Sequence, residues 1–239
     1  MGEPIKISET IEKISKEWLM PPIRRFAYLP YSLKSALQAV IEIGRLRNPK
    51  FVIDDDNVFT YVNMIRWVHG DEEMQCLNPT TKEITKGRLN AGMYIAGNTG
   101  TGKSWALEIM SEYSKIDNVK LAILDTIRPL RWNNYRTDSI CDEYTESGLI
   151  TKYKEMGIVG FQDLGSEQQE ALYMGNRVNV MRKILEHRGD FPNKITLITS
   201  NLPITHPKLT EAYGERVSSR LIEMCNYFEI KGTDRRKLK

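Results

Sequence analysis

The chain has 239 residues, 41% of them hydrophobic and 27% charged, an ordinary globular composition that excludes wholesale disorder. Lys and Arg total 34 against 31 for Asp and Glu, a formal charge of +3, so bulk charge announces no nucleic-acid partner and any basic surface must be local. Cys76, Cys141 and Cys225 show no paired ligand spacing, which argues against a disulfide framework or zinc site; with no apolar run near the ~20 residues of a membrane span and no signal region, a cytoplasmic protein without a membrane partner is expected.

In chain order, the first expected helix has Ser8 as N-cap, Ile11, Ile14 and Trp18 on one face, and Pro21-Pro22 as its stop. A second follows Ser32, with Leu33, Leu37, Val40 and Ile41 in a 3.6-residue period and Asn48-Pro49 as its end. A third begins near Asn57. Its stripe is Val58, Tyr61, Val62, Ile65 and Val68, Asp54 to Asp56 sit at its positive end as caps rather than metal ligands, and Gly70 closes it. The polar stretch from Asp71 to Asn90 reads as a connecting loop. Beyond it, apolar segments near 91–96, 119–124, 157–161, 194–199 and 226–230 alternate with helical stretches, which predicts a mainly parallel sheet joined by right-handed crossovers. The chain therefore divides into a small N-terminal helical region, 1–50, and an α/β domain, 51–239.

Gly97-Asn98-Thr99-Gly100-Thr101-Gly102-Lys103-Ser104 fits G-x-x-x-x-G-K-[ST] and lies between the strand Met93 to Ala96 and a helical run that opens with Trp105. Glycines in such a loop let successive backbone N–H groups point at phosphate oxygens, and the following helix adds its positive end. Lys103 then reaches the β- and γ-phosphates of ATP, and Ser104 offers its hydroxyl to Mg²⁺. Ile158 to Phe161 reads as a buried strand running through Gln162 to Asp163, where a Walker B carboxylate must stand to meet that Mg²⁺. Glu167, a little farther on, can reach the same pocket, or serve as a solvated first-turn glutamate. A further strand, Ile195 to Thr199, delivers Asn201 at the sheet's carboxyl edge, a candidate for orienting the attacking water or a plain turn residue. Arg216 and Arg220 lie four apart on one helix face, as arginine-finger candidates or a salt-bridged surface.

Taken in order, these motifs resemble the DnaC/IstB-type branch of the AAA+ ATPases, which comprises helicase loaders and transposition helpers. The resemblance runs through Gly97 to Ser104, Gln162 to Glu167, Thr199 to Leu202, Tyr213 to Arg220 and Asp234 to Lys237. It implies a P-loop (ASCE-type) three-layer α/β domain with a five-stranded, mainly parallel sheet, little or no C-terminal lid, ATP bound between subunits of a homo-oligomer, and Arg220 as the finger with Arg216 second. A replicative helicase is the implied protein partner, docked through N-terminal helices, and single-stranded DNA the implied nucleic acid; the apolar cluster Trp18-Leu19-Met20 either packs onto its own domain or docks on that partner. Arg177, Arg182, Lys183 and Arg188 on the helix after the Walker B strand, and the tail basic residues Lys231, Arg235, Arg236, Lys237 and Lys239, are the candidate DNA contacts, or simply solvated charges.

One departure stands out. The family carries two adjacent acids at the Walker B position, whereas here Gln162 precedes Asp163. Losing one negative charge from the Mg²⁺ shell should spare binding more than hydrolysis, so a slow ATPase is expected. A transposition helper shares every one of these motifs, a nucleotide-gated adaptor with negligible turnover is favoured by Gln162, and a metabolic phosphotransferase would need a lid segment that the sequence does not display.

Overall fold

The computed structural model describes residues 7, 24–25, 30–116, 120–123, 126–191 and 193–235. The expected first helix, its Ser8 cap and the Trp18-Leu19-Met20 cluster lie outside the described residues.

Strand β1 (Arg24–Arg25) precedes helix α1 (Leu33–Arg47), whose N-cap is Ser32: its hydroxyl accepts the Ser35 amide at 3.3 Å. Helix α2 (Val58–His69) ends at Gly70, which adopts the left-handed φ of 69° that a residue with a Cβ resists. The stretch read as a loop instead forms a hairpin, β2 (Gln75–Leu77) with β3 (Ile84–Lys86). Three-residue strands around a turn containing Asn78-Pro79 are too short to show a period, which is why the pattern hid them. There follow β4 (Gly92–Ala96), α3 (Lys103–Tyr113), β5 (Lys120–Ile123), β6 (Thr126–Pro129), β7 (Asn134–Arg136), α4 (Thr137–Ser147), α5 (Thr151–Glu155) and β8 (Ile158–Leu164). The chain continues through a second hairpin, β9 (Ala171–Tyr173) with β10 (Asn176–Val178), then α6 (Val180–Gly189), β11 (Ile195–Ser200), α7 (Pro207–Tyr213), α8 (Glu215–Met224) and β12 (Cys225–Glu229). No α-helix follows β12 among the described residues.

The main sheet has the order β3-β2-β12-β4-β11-β8-β7, with β12, β4, β11, β8 and β7 mutually parallel and the β2–β3 hairpin antiparallel at one edge. A five-stranded, mainly parallel sheet was expected; the sheet has seven strands because the β2–β3 hairpin extends it, and its five parallel members do not include the segment near 119–124. That segment, β5, pairs antiparallel with β1 and β6 in a separate three-stranded sheet, and the polar strand β7 takes the edge beside β8. An edge strand needs fewer apolar side chains than an interior one, so Asn134-Tyr135-Arg136 carried no strand signal.

Period-2 alternation splits each inner strand between two cores. Met93 and Ile95 of β4 face a layer made of α1, α2 and α3, while Tyr94 and Ala96 face α4 to α8 on the other side. The three-layer arrangement follows. Strand β4 is flanked by β12 and β11, both later in the chain, so the connections leaving its carboxyl end diverge and open a crevice there.

Candidate functional site

The loop from Gly97 to Gly102 fills that crevice and delivers α3. At Gly100 the φ is 82°, and a Cβ would lie 2.0 Å from a carboxylate oxygen of Asp234, so only glycine fits beneath the chain that returns from β12. Lys103 is buried to 4% exposure, and its Nζ donates to the Asn98 carbonyl at 2.7 Å and to Asn201 Oδ1 at 2.9 Å. The ammonium is thus held over the loop, beside the polar amide that follows β11.

Asp163, next to last in the interior strand β8, lies in the left-handed region, with φ of 62°. The conformation comes from an irregularity in the β8–β11 ladder between Ile198 and Ser200, and the surroundings hold it in place. The Asp163 amide donates to Thr199 Oγ1 at 3.0 Å, and its carbonyl accepts from Thr137 Oγ1, the Ser166 amide and Ser166 Oγ. The result turns the carboxylate to Ser104, whose Oγ donates to Asp163 Oδ1 at 3.3 Å. Arg136 Nη1, from the end of β7, stands 3.6 Å from Asp163 Oδ2.

These groups line one cleft of about 530 Å³, together with Thr99, Gly100, Gly102, Trp105 and Asn201. Asn98 and Thr101 shape the loop from behind, Thr101 Oγ1 donating to the Asn98 carbonyl at 2.9 Å. A second, smaller cavity of about 30 Å³ is lined by Thr101, Gly102 and Trp105 together with Phe51, Val52, Tyr61 and Ile230, and with the polar Asn48, Lys50, Asn57 and Arg235. Backbone N–H groups at a helix start plus one ammonium suit phosphate oxygens. Ser104 and Asp163 are hard oxygen donors, and among the described residues no group of three or more His, Cys, Asp or Glu could hold a metal by itself. That donor set fits Mg²⁺, which binds through one or two protein oxygens plus substrate phosphates.

Other expected residues stand elsewhere. Glu167 is absent from the cleft lining: it accepts the Gly165 amide at 2.9 Å through Oε2, and Tyr213 donates its hydroxyl to Oε1. Arg216 and Arg220 of α8 share Asp190, at 2.9 Å and 3.5 Å, and Arg220 also pairs with Glu223 at 2.7 Å. Arg220 lines a cleft with Ala91 and Lys194, at the amino ends of β4 and β11, whereas the phosphate loop is at their carboxyl ends. The five residues of β4 put at least roughly 16 Å between them. Neither arginine reaches the Gly97–Gly102 loop of its own chain.

Three basic candidates for DNA are corrected. Arg188 is 1% exposed, its guanidinium satisfied by backbone carbonyls and the Thr196 hydroxyl. Arg177 is exposed, but on β10 rather than on the helix. Arg235 is bound in a bidentate pair to Asp54, Nη1 to Oδ2 at 2.8 Å and Nη2 to Oδ1 at 2.7 Å, while its amide donates to the Gly100 carbonyl. Hydrogen bonding to Arg235 holds the Asp54 carboxyl below its ordinary pKa. Asp54 is therefore a partner of the C-terminal tail more than a helix cap, and Arg235, expected as a DNA contact, belongs to this cleft, where it joins Arg47, Glu108 and Arg136, which the sequence motifs did not name. Arg236, Lys237 and Lys239 lie outside the described residues.

The three cysteines are buried free thiols, and among the described residues no helix is long and apolar enough to cross a membrane.

No protein-family model and no curated protein matches the chain. Among solved structures, the chain is similar to a proposed primosome component from Streptococcus pyogenes serotype M3, at 18% identity over 88% of this chain and 94% of that one, with a TM-score of 0.52. It is also similar to the DnaC helicase loader, at 19% identity over 77% of this chain and 95% of that one, with a TM-score of 0.47. At such identities the likeness to the first is one of fold: a mixed α/β domain with a mostly parallel central sheet.

Proposed function

We propose that this protein is an ATP-binding AAA+ protein of the helicase-loader kind, which assembles on ATP, delivers a replicative helicase to single-stranded DNA and hydrolyses ATP slowly. The observation that carries the reading is the meeting of Lys103, Ser104, Asp163 and Asn201 in one cleft while Arg216 and Arg220 stand at the far end of the same strands. Such a division suits a site completed by a neighbouring subunit, with Arg220 as the finger that neutralises developing phosphate charge. The ordered motifs resembling DnaC/IstB-type ATPases support the same reading, and so does the fold shared with the Streptococcus protein. When Mg²⁺ accompanies the triphosphate it neutralises charge on the phosphate oxygens; Ser104 and Asp163 would hold it. Lys103 binds the terminal phosphates, and Asn201 orients a water. Arg177, Arg182, Lys183 and Lys231 remain exposed and are the candidates for contact with DNA phosphates.

Mass in solution tests this directly. Wild-type protein is expected to gain mass on adding ATP, and further on adding single-stranded DNA. Arg220→Ala is expected to keep ATP affinity and lose turnover by roughly 10³-fold. A constant mass together with normal hydrolysis by Arg220→Ala would hand the function to a single-chain phosphotransferase.

Gln162 bears on the rate. Its amide donates to the Ser104 carbonyl at 3.3 Å and to Glu108 Oε1 at 2.9 Å, which favours as second reading a nucleotide-gated adaptor with negligible turnover. Gln162→Asp is expected to raise kcat at saturating Mg²⁺ by about tenfold or more. An unchanged kcat removes this account of slow hydrolysis.

A further inference from the structure

Glu108 has a place that neither the P-loop pattern nor the Walker B position assigns. It lies on α3 one turn beyond Ser104, and so on the same helix face, and it lines the nucleotide cleft with Ser104, Gln162 and Asp163. Gln162 is 6% exposed, so its amide has few choices of orientation. Its NH₂ faces Glu108 Oε1 at 2.9 Å and the Ser104 carbonyl at 3.3 Å, two acceptors that only a donor satisfies. A glutamate in place of Gln162 would set two carboxylates at hydrogen-bond distance, where one must lose its charge. From the open side Arg47 of α1 pairs with Glu108. Position 162 is therefore neutral in a setting that already holds a carboxylate one hydrogen bond away.

We propose that Gln162 and Glu108 form a transposed acid: the negative charge missing from β8 stands on α3 instead, and Glu108 supplies it to the Mg²⁺ bound with the nucleotide. The inference rests on the reading of the cleft as a site for ATP and Mg²⁺. Its chemistry explains how binding persists where hydrolysis is slow, since the charge is retained but not at the position from which the strand acid acts. Glu108 is accordingly a positioning residue for the cation and not a catalytic one.

The test is nucleotide affinity by calorimetry, using a non-hydrolysed ATP analogue, in Mg²⁺ and again in EDTA. The ratio of the two reads the contribution of the metal without any turnover. Glu108→Gln, isosteric and still able to accept from Gln162, is expected to lower that ratio by about tenfold, the scale for residues acting behind a metal's direct ligands. An unaltered unfolding curve certifies the fold. The exchanged pair Gln162→Glu with Glu108→Gln is expected to restore the ratio to within about threefold of wild type, and Glu108→Asp, which keeps the charge, to retain most of it. The proposal is overturned if Glu108→Gln responds to Mg²⁺ like wild type, if the exchanged pair restores nothing, or if Glu108→Asp loses as much as Glu108→Gln. A wild-type protein whose affinity ignores Mg²⁺ sinks the parent reading and this inference with it; a responsive wild type with an equally responsive Glu108→Gln sinks the inference alone.

Discussion

Lys103→Ala is expected to weaken ATP binding by roughly a hundredfold or more while leaving the fold intact. The side chain crosses the loop at 4% exposure, and its ammonium has already given up most of its water to the Asn98 carbonyl and Asn201 Oδ1. A triphosphate replaces those neutral acceptors by charged ones without a fresh desolvation cost, which is what pre-organisation means for affinity. Charge-assisted hydrogen bonds contribute about 1.5–3 kcal/mol each, so two of them lost to phosphate amount to about 3 kcal/mol at the least. The core is not involved, because the apolar residues of α3 that pack inward are Ala106, Leu107, Ile109 and Met110. Titration calorimetry with ATP reads the change against an unaltered unfolding curve. Equal affinity in the two proteins would remove the foundation of the nucleotide site.

The largest expected loss of stability comes from Arg188→Met. Arg188 Nε donates to Thr196 Oγ1 at 2.9 Å, Nη1 to the carbonyls of Tyr153 at 3.0 Å and Met156 at 2.6 Å, and Nη2 to the Ile195 carbonyl at 2.7 Å. Two of these acceptors lie at the end of α5 and one opens β11, so a single guanidinium fork ties a helix terminus to the start of a central strand. Methionine fills the volume but leaves buried carbonyls without donors. The cost is about 3–5 kcal/mol, the scale for breaking a buried polar network from one side, and a shift of roughly 10 °C in Tm for a domain of this size. Arg188→Lys should recover little, because one ammonium cannot span acceptors arranged for a planar fork. Urea unfolding with an unchanged m-value measures it; a loss below about 1 kcal/mol would mean that water or rearrangement satisfies the carbonyls.

The sequence disclosed those parts of the molecule where signal is contiguous. The phosphate loop, α1 and α2 with their ends, and the apolar strands β4, β8, β11 and β12 are each written within a few neighbouring residues. Less was legible where pairing supplies what the residues do not. Strand β7 is polar and at a sheet edge, and β5 looks like an interior strand but joins another sheet. The cleft followed the same division. Lys103, Ser104, Asp163 and Asn201 sit in recognisable contexts, whereas Arg47, Glu108 and Arg136 are lone charges drawn together from three separate segments, and Arg235 stood in a basic run that pointed to DNA instead. Arg188 did leave a trace. It falls on the stripe of Met181, Ile184 and Leu185, the buried face of α6, where a solvated arginine has no place.

The separation of the α8 arginines from their own phosphate loop sets a rule for counting. Each copy carries a cleft on one end and a guanidinium on the other, so in the proposed assembly contact between copies would be head-to-tail, and any chain of them would have a direction. A pair would own a single completed site and expose one unmatched half at each extremity. An open spiral always has one fewer competent site than it has members, and only a closed ring uses every one.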